Sequence, residues 1–249
     1  MTLPEACRTQ VQHIQASSKF QPHSEEGRQA APFPGYTIMT PPWEEETDNS
    51  TFYAHLQDYQ QHLLRLSVNS DWIVLVPPSS FHLTLADIIW DSAYYDACEK
   101  NPQFEEQLRS CFVDIFQQYQ QSMQQQTHPI RWEVQGLIVM PRAIGVCLVP
   151  QNEACYEQIV NLRRAIYQNS NLMALGIEQH YHFTGHVTLG YFGEIAPNLD
   201  RDHLTTMLSQ LSQQWIENSP ELIIHRAELR KFDDMTRYYR KPDWPILDF

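Results

Sequence analysis

Long apolar runs are missing from this chain of 249 residues. None approaches the ~18–20 consecutive residues that a membrane-crossing helix needs, so no membrane partner is expected. Basic charge is scarce as well, with 17 Lys and Arg against 30 Asp and Glu and a formal net charge of −13. A general binder of long nucleic acid needs a basic surface to neutralise phosphates. The balance excludes that class and leaves room only for a local anion site. The opening MTLPEACRTQVQHIQ lacks the basic and apolar regions of a secretory signal. The cysteines, Cys7, Cys98, Cys111, Cys147 and Cys155, are odd in number and contain no C-x-x-C. That pattern speaks for reduced thiols in a cytoplasmic protein rather than a disulfide framework or zinc site. Glycine is rare too, and three of the eight, Gly185, Gly190 and Gly193, bracket one short segment. Such crowding marks turns or a close backbone approach to a ligand.

What remains is the composition of a globular protein: 42% hydrophobic, 12% aromatic, mean hydropathy −0.47. The length suits one large domain or two small lobes. Residues 1–35, with weak periodicity and Pro22, Pro32 and Pro34, read as an irregular extension. The folded part is expected to begin at Tyr36, where YTIMT reads as a strand. A helix over 51–66 follows from Phe52, Leu56, Tyr59, Leu63 and Leu66 on one face, with Ser50 as its cap. WIVLV (72–76) and FHLTLAD (81–87) read as strands, and 102–125 as a long helix. The second half repeats the plan. Strands are expected over 131–139 and 144–149, then a helix over 153–167 with Tyr156, Ile159, Val160 and Ile166 inward. GHVTLGYF (185–192) reads as a strand, 201–215 as a helix, and ELIIHRAEL (221–229) as one last strand. This repeat predicts an α/β (α+β) bilobal fold. Two small antiparallel sheets would face a central cleft, helices outside, with lobes over 36–130 and 131–232 and a basic, aromatic tail over 233–249.

Each half carries the same pattern of histidine, aliphatic residue, threonine and leucine. It is His82-Leu83-Thr84-Leu85 in one and His186-Val187-Thr188-Leu189 in the other. On a strand, alternate residues share a face, so His and Thr would point together into the cleft while the aliphatic residues pack behind them. One H-x-T is unremarkable in a chain with 11 histidines; two in equivalent places are not.

Paired H-x-T strands on a duplicated α/β scaffold resemble the 2H phosphoesterase superfamily, which includes 2′-5′ RNA ligase-like and cyclic nucleotide phosphodiesterase proteins. The resemblance spans about Tyr36 to Phe232. It extends to PGYTI before the first helix and VPPSSFHLTLAD around the first motif, which are similar to one little-characterised branch. It implies a bilobal fold, a metal-free and cofactor-free site, and cleavage of a 2′,3′-cyclic or 2′-5′ phosphodiester in a small nucleotide or RNA end.

Elementary chemistry agrees with that implication. Metal-free cleavage of a phosphodiester needs a base, an acid and donors for the phosphoryl oxygens. Imidazole titrates near pH ~6.5, so one neutral and one protonated ring can coexist near neutrality. His82 and His186 are the acid–base candidates, and Thr84 and Thr188 the donors. Tyr36, Tyr191, Phe192, Tyr238 and Tyr239 could stack on a base. Arg142 and Arg226 could meet phosphate, and Asp87 could orient a histidine. Two readings compete. His180, His182 and His186 form H-x-H-x3-H, a possible metal site without the usual neighbouring aspartate. A catalytically silent nucleotide- or RNA-binding module would use the same scaffold.

Overall fold

In the computed structural model the described residues are 11–249 without 24–26, 46, 67–71, 124–127, 180–181 and 218. A small hairpin comes first, β1 (Phe20–His23) with β2 (Gly27–Ala30). β3 (Gly35–Met39) is buried along its whole length, as a strand covered on both faces must be. α1 (Ser50–Leu66) turns Phe52, Leu56, Tyr59 and Leu63 inward, the predicted stripe. β4 (Ile73–Leu75) and β5 (Thr84–Trp90) follow. Then come α2 (Asp91–Lys100), which periodicity did not predict, and α3 (Phe104–Ser122). α2 buries only Tyr94 and therefore has no apolar stripe to read.

β6 (Ile130–Val139) and β7 (Ala143–Pro150) form an antiparallel pair. α4 (Glu153–Tyr167) starts at Asn152, whose side chain accepts a hydrogen bond from the Cys155 amide, and the short α5 (Ser170–Ala174) follows. Leu162 and Arg163 share the inward face of α4 with Ile159 and Ile166, whereas Tyr156, expected inside, is 56% exposed. β8 (His186–Phe192) and α6 (Arg201–Glu217) come next. The expected single strand over 221–229 is two strands, β9 (Leu222–Ile224) and β10 (Arg226–Asp234), separated at His225. β11 (Arg237–Tyr239) and β12 (Ile246–Asp248) complete the chain.

Apart from the hairpin, the strands form two five-stranded antiparallel sheets. One has the order β11-β10-β3-β5, with β12 also on β10; the other has the order β4-β8-β7-β6-β9. The duplication is visible in the pairing, since β10-β3-β5 in one sheet matches β6-β7-β8 in the other. The lobes do not divide at residue 130, however. β4 from the first half lies in the second sheet, and β10 from the second half lies in the first. Helices cross over as well. α1 docks on the second sheet, where Gln60 Nε2 donates to the carbonyls of Val76 and Leu189, both at 2.8 Å, and Tyr59 stacks on Trp215 of α6. α4 docks on the first sheet, where Arg163 donates to the Leu85 carbonyl at 2.6 Å, and it is tied to α3 by the Tyr119 hydroxyl.

The N-terminal segment departs most from expectation. Val11, Ile14 and Phe20 are buried in the core, and backbone bonds tie the segment to both lobes. The Gln15 and Ser17 amides donate to the carbonyls of Pro141 and Phe192, and the Phe33 amide to that of Asp233. It is a strap across the lobes, held by apolar burial and by paired backbone groups. No helix among the described residues is long and apolar enough to cross a membrane.

Candidate active site

The two H-x-T segments approach the cleft from neighbouring lobes. Leu83 and Leu85, and likewise Val187 and Leu189, are fully buried behind them, so His82, Thr84, His186 and Thr188 are left facing the cleft. The chain around β8 lies close against its neighbours at its glycines. A Cβ on Gly185 would sit 2.7 Å from the Leu148 carbonyl oxygen, and one on Gly190 would sit 2.8 Å from that of Val74. Gly185 and Gly190 therefore serve strand packing beside the second motif.

The histidines are held alike. His82 Nδ1 lies 2.7 Å from the Ser80 carbonyl oxygen, and His186 Nδ1 lies 2.8 Å from that of Thr184. A carbonyl only accepts, so Nδ1 donates in each ring and Nε2 keeps its lone pair in the neutral form. Neither Nε2 has a hydrogen-bond partner among the described residues. His82 lines the cleft but is partly buried and crowded by protein. Burial pushes its pKa down to about 4, helped by the charges of His186 and Arg230 and opposed by the Ser80 bond.

The cleft encloses about 720 Å³. The Tyr238 ring lies 4.2 Å from that of His82, and Phe232 packs behind Tyr238. Burial raises the pKa of Tyr191 and Tyr238, so both phenols remain protonated donors. Behind this wall Arg230, 1% exposed, bonds Glu228 at 2.7 Å, Glu45 at 3.0 Å and the Tyr238 carbonyl at 3.2 Å.

The remaining candidates divide. Arg142 is an exposed cation on the cleft wall, and Asp87 and Tyr191 line it too. Tyr36 touches the wall, but its ring packs against Tyr94 and Trp244, and Arg109 donates to its hydroxyl at 3.4 Å. Its ring is 1% exposed and packed in the core. Arg226 is a correction: it lies outside the cleft wall, and Asp248 on β12 takes its guanidinium at 2.8 Å. Phe192 is buried against Trp72, and Tyr239 bonds Asp233. His182 lines the cleft, whereas His180 lies outside the described residues. Among the described residues no cluster of three or more His, Cys, Asp or Glu is arranged to hold a metal.

Two cations escaped sequence reasoning. Arg163 on α4 reaches the cleft wall and lies over the rings of Tyr167 and Phe183. Lys19 enters from the N-terminal strap, its Nζ 4.5 Å from the Phe33 ring centre and 5.1 Å from that of Tyr191. A usable signal existed: the chain has only four lysines, and Lys19 is the sole one before Lys100.

Two sheets, two H-x-T segments and one shared cleft define a 2H phosphoesterase-like protein. Residues 19–143 match the family described as 2H-phosphodiest, "Domain of unknown function (DUF1868)". The chain belongs to this family, within the 2H phosphoesterase superfamily. Its fold is similar to that of the conserved protein of unknown function ATU0111 from Agrobacterium tumefaciens str. C58, with a TM-score of 0.61 and 15% identity over 92% of this chain and 93% of that one. Weaker likenesses are to TT0787 of Thermus thermophilus (TM-score 0.47, 15% identity, 84% and 91% covered) and to a solved phosphoesterase (TM-score 0.38, 12% identity, 88% and 100% covered). No curated protein matches the chain.

Proposed function

We propose that the protein is a phosphodiesterase that opens a 2′,3′-cyclic or 2′-5′ phosphodiester in a small nucleotide or RNA end, without a metal or other cofactor. The observation that carries this reading is the matched tethering of His82 and His186, which leaves both Nε2 atoms without a partner among the described residues at one cleft. His82, held neutral by its surroundings, takes a proton from water. The new P–O bond forms as the bond to the ribose oxygen breaks, and protonated His186 gives that oxygen its proton. Each transfer contributes ~10²–10⁴-fold. Thr84 and Thr188 donate to the phosphoryl oxygens, where charge accumulates. Tyr238 and Tyr191 form the aromatic wall for a base, and Arg142 meets phosphate at the rim. The net charge of −13 supports a small substrate over a long nucleic-acid strand.

The test is a panel of 2′,3′-cyclic nucleotides and 2′-5′-linked dinucleotides, assayed with chelator and with products resolved as 2′- or 3′-phosphates. His82→Ala and His186→Ala should each lose ~10²-fold or more. Full rate in either variant overturns the assignment. Tight binding without turnover in the wild type would make the protein a silent binding module.

A further inference from the structure

The strap that joins the lobes also delivers a charge. Lys19 is fixed at its backbone: its carbonyl accepts from the Ala31 amide at 2.9 Å, and its amide donates to Ser17 Oγ at 3.2 Å. Its side chain lines the cleft, with the ammonium over the rings of Phe33 and Tyr191. Among the described residues it makes no ion pair. Asp87 and Asp91 act on it only at a distance, and Arg142 repels it. Two aromatic faces stabilise a cation only modestly, which does not offset the loss of water from a crowded ammonium. Consistently, burial brings the amine pKa down to about 8. A cation held this way, beside a second one at Arg142, suits an anionic group that arrives with the ligand.

Its place in the cleft indicates which group. Tyr191 carries Lys19 on its ring and lines the same cleft as Thr188, His82 and His186. An anion on Lys19 therefore shares one cleft of about 720 Å³ with the scissile phosphate. In a nucleotide opened at its 2′,3′ side, the other anionic group is the phosphate across the sugar, at the 5′ position.

We propose that Lys19, with Arg142, binds a second phosphate on the 5′ side of the substrate nucleotide, so that the preferred substrates carry two phosphates. This rests on the phosphodiesterase reading of the His82–His186 site. The 5′ phosphate could be a terminal monoester or the link to a preceding nucleotide; both present the same anionic oxygens.

Calorimetric binding tests the subsite apart from catalysis. A nucleoside 3′,5′-bisphosphate should bind the wild type about 10- to 100-fold more tightly than the 3′-monophosphate, as hydrogen bonds to charged groups warrant. Lys19→Gln should abolish most of that ratio, Arg142→Gln part of it, and Lys19→Arg should keep it. A ratio near one in the wild type, or one unchanged in both glutamine variants, overturns the proposal. Turnover is compared in parallel on a nucleoside 2′,3′-cyclic phosphate, its 5′-phosphorylated form and a dinucleotide with the same cyclic end. Preference for the second marks a monoester ligand, and equal preference for the third a diester. Bisphosphate preference in binding with no turnover of any substrate would sink the phosphodiesterase reading and leave the subsite standing.

Discussion

Tyr238 lies across His82, ring centres 4.2 Å apart and planes inclined by 54°. The two residues belong to different halves of the sequence, and Arg230 backs the contact. Its guanidinium holds the Tyr238 carbonyl and is itself enclosed by Glu228 and Glu45.

Arg230→Gln removes the close partner of the buried Glu228 carboxylate and leaves it the Arg226 guanidinium at 3.9 Å. Breaking such a pair costs about 3–5 kcal/mol. Urea unfolding should show that loss at neutral pH, and a variant as stable as the wild type would contradict the buried network.

Tyr238 should act through its ring. Among the described residues its hydroxyl reaches only the Met235 sulfur, at 3.6 Å. Tyr238→Phe is expected to retain most activity, whereas Tyr238→Ala frees the His82 ring and should lower kcat by ~10-fold or more, since small misplacements of a catalytic group are costly. Equal rates in the two variants would show that the ring does not position His82.

His82 should leave a mark on stability against pH. Its folded pKa of about 4 lies below the ordinary 6.5. Between those values the unfolded chain binds a proton that the folded protein refuses, so stability rises with pH over that window and is flat above it. The full difference is about 3 kcal/mol. His82→Asn removes this share of the slope; an identical slope in wild type and variant would rule out the depressed pKa.

Lys19 titrates in the opposite functional sense. The amine is cationic below about pH 8 and neutral above it. The affinity ratio between a 3′,5′-bisphosphate and a 3′-monophosphate should fall as pH rises through 8, and Lys19→Arg should be insensitive over the same range.

Much of the site was legible because its signals are local. His-x-Thr at the start of a strand fixes a face, with His82 two residues before β5 and His186 opening β8, and the stripe from Phe52 to Leu63 fixes a helix. What local pattern cannot show is the partner of a strand. ELIIHRAEL reads as one run because its residues suit either sheet, yet β9 pairs with β6 and β10 with β3. Arg226 and Arg230 look alike as basic residues on one strand. Only the tertiary neighbours separate them, Asp248 at the surface and two glutamates around the buried guanidinium. The strap was missed for the same reason: Val11, Ile14 and Phe20 are too few and too widely spaced to show a period, and their burial comes from lobes distant in sequence.

The exchange of strands and helices means that the chain shuttles repeatedly from one lobe to the other. A hinge needs a small number of flexible crossings, and here many tethers span the same gap, with the N-terminal strap added. The spacing between His82 and His186 is thus set by covalent path rather than by the arrival of a ligand, and the cleft works as a fixed calliper. Severing the chain between its halves would produce no separable lobe. Each fragment would hold pieces of both, and the two could regain a working gauge only by folding around one another.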